Sequence, residues 1–273
     1  MKIDTLILSG GGINCLAFIG TLKYFFETNE IKKKFKNIKK IICVSGGLFV
    51  IIPFLLNLSI ESVIKIVLNY KEDILVDKDN FKINDILLDY GLFKNPCSKI
   101  VKIILKQTNL SEDINLKEFF EYTNINLTVK VVNLSKALIE YINYKNYPEL
   151  PLHILCDMTS GIPGIFKPVI YKKQYYVDGA ICGNFPLENN KSKNYLGINV
   201  DHNFDDITDI NDISGYIKSL WNMIGRENTL NKKRIINIKI KMMGTNFDVT
   251  DEERKKIIKD GYLQTKNHFK LYS

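Results

Sequence analysis

Histidine and cysteine are scarce in this 273-residue chain, and their scarcity removes several classes of function before any motif is read. Five cysteines are an odd count without closely spaced pairs, which leaves a disulfide framework or a CxxC metal site unsupported and reads as a reduced, intracellular chain. Calcium-loop and zinc spacings are missing as well, so no metal and no other cofactor is expected. Only His153, His202 and His268 exist, none in a recognisable catalytic pattern, and they are expected at the surface or in packing. The longest apolar run, Leu48 to Leu56, contains Pro53 and falls far short of the roughly 18 residues that cross a bilayer. Lys2 and Asp4 are followed by too few apolar residues for a secretory leader, so a cytoplasmic chain with at most peripheral membrane contact is expected. No Pro/Gly/Ser-rich linker and no internal repeat divides the sequence.

What is present suits one substantial core. With 45% hydrophobic residues the chain reads as a single domain over residues 1–273, its motifs within 4–187 and further strands and helices in 188–273 packed on them. Strand-loop-helix units at 5–27 and 39–58 predict an α/β three-layer sandwich, a mostly parallel central sheet flanked by helices. Residues 59–120 are mostly helical in pattern, and further strands are expected at Leu127–Val132, Tyr195–Val200 and Ile235–Ile240.

Three segments carry chemistry. In CVSGG, Cys43 to Gly47, an apolar strand meets a helix through a sharp turn with Ser45 at its apex, where the helix N-terminus favours developing negative charge. Small residues are needed two before and two after such a serine; Gly47 meets the second demand, and Cys43 stands at the first. Near the N-terminus, Gly10, Gly11 and Gly12 end a short strand and open a helix, presenting several backbone N–H groups in one concavity. No GKS or GKT follows these glycines, which argues against a nucleotide phosphate loop. The third segment is VDGAICGNFP, where Asp178 follows a strand predicted at Tyr175–Val177 and Gly179 opens a turn.

In this order the motifs resemble those of the patatin-like phospholipases, a family of serine lipid acyl hydrolases. The glycine loop with Gly20 downstream is similar to the family's oxyanion loop, VSGG to its nucleophile elbow, CDMTSGIPGIFKPV to the run before its catalytic acid, and Asp178-Gly179-Ala180 with Asn184 and Pro186 to its acid motif. The segment Phe247 to Tyr262 is similar to the family's closing helix, so the likeness runs from about Asp4 to Tyr262. The resemblance implies phospholipase A-type cleavage of carboxylic esters by a Ser45–Asp178 dyad without histidine, through an acyl-enzyme. Gly10, Gly11, Gly12 and Gly46 would supply the oxyanion hole, with a phospholipid or another acyl ester as substrate.

The departures from the family pattern fall in the site. Asn14 replaces a usual Lys or Arg and carries no charge, Cys15 replaces a glycine and would be strained at a positive φ, and Cys43 replaces a glycine in the elbow. They keep open two alternatives: a catalytically weak lipid-binding or effector protein, and a small-ester or thioester hydrolase. If Cys15, Cys43 and Cys182 all border the pocket, thiol modification is expected to lower activity; the alternative is inert packing. The net charge of +8 suits an anionic surface. The lysines at 32, 33, 34, 36, 39 and 40 precede the nucleophile strand and belong at the edge opposite the reactive turn, as a solvated face. Nucleic acid is not expected as a partner, for want of any binding motif. The amphipathic stretch Asp212 to Arg226, with Trp221, is read as a core face before a lipid-facing one.

Overall fold

Apolar residues in Thr5–Leu8 (β1) and Lys40–Val44 (β2) run consecutively instead of alternating, as in strands covered on both faces of a parallel sheet, and all but Lys40 are buried. The computed structural model describes residues 2–69, 91–93, 95–202, 220, 233–242, 244 and 249–272. The further strands are Gly91–Phe93 (β3), Asn126–Asn133 (β4), Leu138–Ile142 (β5), Gly164–Phe166 (β6), Val169–Tyr171 (β7), Gln174–Asp178 (β8), Tyr195–His202 (β9) and Ile235–Ile240 (β10). Eight of them form one sheet in the order β10-β9-β1-β2-β4-β8-β7, with β5 also on β4, while β3 and β6 pair separately. The run from β10 to β4 is parallel; β5, β7 and β8 add antiparallel pairs. The architecture is α/β, a mostly parallel sheet with helices packed on it, as expected.

Side chains alternate between two faces along each strand. Leu6, Leu8, Ile41 and Cys43 join the large cluster that also takes the helices' apolar residues, whereas Ile7 and Ile42 face a smaller one with Phe185 and Ile235. Helices Ala17–Glu27 (α1) and Gly46–Leu55 (α3) complete the two predicted strand-loop-helix units, and Asn29–Phe35 (α2) carries part of the lysine cluster to the N-terminal end of β2. Pro53 lies inside α3, two residues before its end. The helical stretch after it contains Ile60–Asn69 (α4), Cys97–Gln107 (α5) and Leu116–Thr123 (α6), the last closed by a reciprocal Asn115/Glu118 capping box. Leu152–Ser160 (α7) and Asp251–Tyr272 (α8) complete the helices described. The strands at β4, β9 and β10 match their predicted positions, β4 and β9 running longer, while the short β3, β5, β6 and β7 carry too little pattern to be foreseen. The amphipathic stretch 212–226 lies outside the described residues except for Leu220. Among the described residues no helix is long and apolar enough to cross a membrane.

Two packing features position the site. The first is the crossing of α1 and α8, where a Cβ on Gly20 would collide with the Ile258 carbonyl and one on Gly261 with the Ala17 carbonyl. Gly20 therefore acts as a helix-packing residue. The Thr21 and Thr265 hydroxyls meet in the same crossing, 2.8 Å apart. The second feature is the register on β4. Val44, the last residue of β2, pairs with Lys130, and Asp178, the last of β8, pairs with Val131. Because β5 occupies the other edge of β4 over residues 129–133, β2 and β8 share one edge and end side by side.

Candidate active site

Ser45 caps α3 with φ 52° and ψ −131°, a left-handed conformation costly for a side-chain-bearing residue and retained only where surroundings enforce it. Three contacts enforce it here. Its N–H donates to Thr159 Oγ1 at 2.8 Å, its carbonyl accepts from Leu48 N–H at 3.0 Å, and its Oγ donates to Asp178 Oδ2 at 2.6 Å. Thr159, on α7, donates its own hydroxyl proton to the Lys130 carbonyl at 2.9 Å, so the elbow is tied to β4 through one side chain. The glycines after Ser45 are needed for space: a Cβ on Gly46 would stand 2.7 Å from the Gly12 carbonyl oxygen, and one on Gly47 would stand 2.5 Å from that of Ser9.

Asp178 is buried, and its two oxygens have separate tasks. Oδ1 accepts the Ala180 N–H at 2.8 Å, capping the 3-10 turn Gly179–Cys182, and this leaves Oδ2 aimed at Ser45. Burial pushes the Asp178 carboxyl up to about 7, against the opposing pull of the Ser45 and Ala180 hydrogen bonds and of Lys130. A carboxylate of that basicity is matched to taking a proton near neutral pH. Gly179 is required because a Cβ there would collide with the Lys130 carbonyl.

The sequence reading missed Lys130. Its side chain is 1% exposed, and Nζ donates to the carbonyls of Cys182 and Gly183 at 2.7 and 2.9 Å and to Glu188 Oε1 at 2.7 Å. Tyr141 donates to the same Glu188 oxygen. Burial would raise the Glu188 carboxyl, but the bonds from Lys130 and Tyr141 outweigh it and hold the group below its usual range. The ammonium thus fixes the turn that carries Asp178. A lysine inside TVKVVN is legible as buried only once the turn carrying Cys182 and Gly183 is known to pack against it.

The glycine loop is stitched to its surroundings. Gly10 N–H donates to the Asn184 carbonyl at 3.0 Å and Asn184 Nδ2 donates back to the Gly10 carbonyl at 3.1 Å, which explains the asparagine that trails the acid motif. Gly10 N–H is therefore committed, as is Ser45 N–H. Gly12 has φ 55° and no room for a Cβ against Gly244, and Gly11 has φ 152°. Among the described residues no acceptor takes the N–H of Gly11, Gly12 or Gly46.

Asn14 Nδ2 donates to the Met242 carbonyl at 2.7 Å, anchoring the loop beyond β10. Cys15 lies in the 3-10 turn Gly12–Leu16, outside the positive-φ residues, so the strain expected of it does not arise; nor does Cys43 adopt a positive φ. Cys15 borders a cavity of about 180 Å³ at Ser45, walled by Leu16, Phe49, Val50, Ile100, Ile162 and Phe166. Cys97 borders it too, whereas Cys43 is buried in the sheet and Cys182 is exposed on the acid turn. Burial pushes the thiols of Cys15, Cys43 and Cys97 up, leaving them protonated and apolar in character. His153 meets the Glu112 carbonyl through Nδ1 at 3.2 Å and His268 packs edge-on against Phe269, so both engage groups outside the dyad.

Comparison with known proteins gives consistent relatives. Residues 6–190 match the family model described as patatin-like phospholipase. A probable lipid hydrolase of Invertebrate iridescent virus 6 is 28% identical over 187 residues, covering 67% of this chain and 62% of the relative. An uncharacterized protein of Acanthamoeba polyphaga mimivirus is 26% identical over 188 residues, covering 68% and 61%. The match thus takes in less than two thirds of either relative's length. Among solved structures, VipD from Legionella pneumophila aligns over 100% of this chain and 67% of its own with a TM-score of 0.68 at 17% identity. The type III effector protein ExoU, from Pseudomonas aeruginosa, aligns over 100% and 53% with a TM-score of 0.55 at 12% identity. At these identities the two structures speak for the fold.

Proposed function

We infer the chemistry from one premise, that this chain belongs to the patatin-like phospholipase family: it hydrolyses carboxylic esters of lipids, in the manner of a phospholipase A, at a Ser45–Asp178 dyad. Asp178 takes the hydroxyl proton as Ser45 Oγ attacks the ester carbonyl. The tetrahedral oxyanion turns toward the N–H groups of Gly11, Gly12 and Gly46, the α3 N-terminus adding its dipole. Collapse expels the alcohol, which receives the proton from Asp178, and leaves the acyl group on Ser45. Water, deprotonated in turn by Asp178, then attacks the acyl-enzyme, and the fatty acid leaves as Asp178 returns the proton to Ser45 Oγ. The apolar cavity beside Ser45 takes the acyl chain, and the chain works at membranes by peripheral contact.

The observation that carries this reading is the 2.6 Å Ser45–Asp178 hydrogen bond within a buried pocket, with the acid's proton affinity raised to near neutral. The test is to treat the wild type, Ser45→Ala and Asp178→Asn with a fluorophosphonate and to assay phospholipid and short-chain ester hydrolysis. Wild-type labelling with turnover is expected, Ser45→Ala losing both and Asp178→Asn losing at least about a thousandfold in rate. Turnover that persists in Ser45→Ala, or a wild type that neither labels nor hydrolyses, would refute the reading.

A further inference from the structure

Two hairpin tips stand beyond the sheet edge at which Ser45 lies. The β4–β5 turn spans Leu134 to Ala137, and the β7–β8 turn is Lys172–Lys173. They are joined: Leu134 N–H donates to the Tyr175 carbonyl at 2.8 Å and Tyr175 N–H donates to Ser135 Oγ at 2.9 Å. Tyr175 and Leu134 each lie three residues beyond the Asp178–Val131 pair along their strands, hence about 10 Å outward from the dyad, and the lysine turn lies farther still. The tips face the same way as the reactive turn because β4 runs parallel to β2, whose C-terminal end leads into Ser45.

Their chemistry is unlike that of an ordinary solvated turn. Ile170 is 61% exposed, Leu134 50% and Tyr175 39%, three large apolar side chains on neighbouring strands and turns. Basic residues share the two turns with them: Lys136, which reaches Glu140 only at 3.9 Å, and the Lys172–Lys173 pair. Lys172 and Lys173 adopt φ 47° and 61°, the conformation of a two-residue turn for which Asn-Gly is the favoured sequence. Local folding preference therefore does not account for two lysines there. An apolar groove beside the β4–β5 tip, lined by Leu134, Pro163, Pro168 and Tyr175, is also bordered by Phe166, the ring that walls the cavity at Ser45.

We propose that this double hairpin tip is the membrane-docking surface of the protein, its apolar residues entering the interface of an anionic lipid bilayer while Lys136, Lys172 and Lys173 contact the head groups. The proposal rests on the lipid-hydrolase reading for the choice of bilayer as partner. Charge complementarity and the shared Phe166 wall argue for that occupant: exposed apolar groups ringed by cations suit a negative lipid surface, and docking there sets the bilayer against the cavity. The lysines around α2, at the opposite end of β2, are too far from this face to take part.

The test uses the full chain carrying Ser45→Ala, so that binding is read without hydrolysis, and flotation with phosphatidylcholine vesicles with and without phosphatidylserine. The parent is expected to float with phosphatidylserine vesicles and to be released by high salt. Lys172→Glu/Lys173→Glu and Leu134→Ser/Ile170→Ser each lower partitioning at least about tenfold, while Lys32→Glu/Lys33→Glu/Lys36→Glu stays within about twofold. Unchanged melting transitions, and unchanged turnover of a soluble short-chain ester in the Ser45 versions, establish that the fold and the site are intact. If the apolar pair impairs folding, the charge reversal carries the test alone. A parent that binds no vesicle, tip variants that bind like the parent, or a larger loss from the α2 reversal would each overturn the proposal. Binding through the tips in a chain that never hydrolyses lipid removes the hydrolase reading and leaves the docking surface standing.

Discussion

Asp178 links the chemistry of single residues to pH. Its carboxyl lies near 7 in the folded chain and 3.8 unperturbed, and in the proposed mechanism the ionised form is the base, so kcat/KM for a soluble ester should rise with pH through about 7 and level off above it. Stability follows the opposite sign. The folded chain binds the Asp178 proton more tightly than the unfolded chain, so this group's contribution falls as pH rises from about 4 to about 7. A rate profile flat across that range would remove Asp178 as the base. Thr159 is the second residue to test, since its hydroxyl is the acceptor for a buried N–H in a strained serine. Thr159→Val should cost about 1–3 kcal/mol in denaturant unfolding and lower kcat more than it raises KM, whereas Thr159→Ser keeps the bond and most of the rate. Ser45 and Asp178 were legible in the sequence because an elbow and an Asp-Gly turn are local patterns. Thr159 and Lys130 were not, because each is defined by a partner 114 or 52 residues away.

At the scale of elements, the site is a set of strand ends pinned from outside. The 3-10 turn after β1 leads directly into α1, and α1 is held by α8 through the backbone contact of Gly20 and Gly261. Gly261→Ala has to push the two helices apart against the Ala17 backbone. The expected cost is about 1–3 kcal/mol, read as a lowered denaturant midpoint with an unchanged slope, and turnover should fall as the glycine loop shifts. An unchanged midpoint would mean that the crossing yields without strain. The sequence showed β1, β2, β4, β9 and β10 because buried parallel strands leave continuous apolar runs. It hid β5, whose LIEYI mixes charge and apolar residues on an exposed edge, and the three-residue strands, which are too short for any period to show.

In the whole molecule, the motif-bearing part leans on the C-terminal residues. The matched family region ends at residue 190, yet β9 inserts beside β1, Val200 N–H donates to Ser9 Oγ at 3.0 Å, and Met242 and Gly244 accept from Asn14 and Ile13. A chain ending at residue 190 should therefore lack a cooperative thermal transition by calorimetry, despite keeping both Ser45 and Asp178; a sharp transition in it would show that residues 191–273 are dispensable for folding. The sequence by itself determined the α/β class, the sharp turn at Ser45 and the Asp178-Gly179 turn, since each is written in neighbouring residues through apolar periodicity, glycine spacing and turn chemistry. The tertiary structure alone decided that Val44 and Asp178 end on one edge of β4. It also decided that Gly10 N–H is spent on Asn184, and that a lysine amid valines is an internal strut. Those facts depend on strand register and order, which arise from the packing of distant segments and leave no imprint within any one of them.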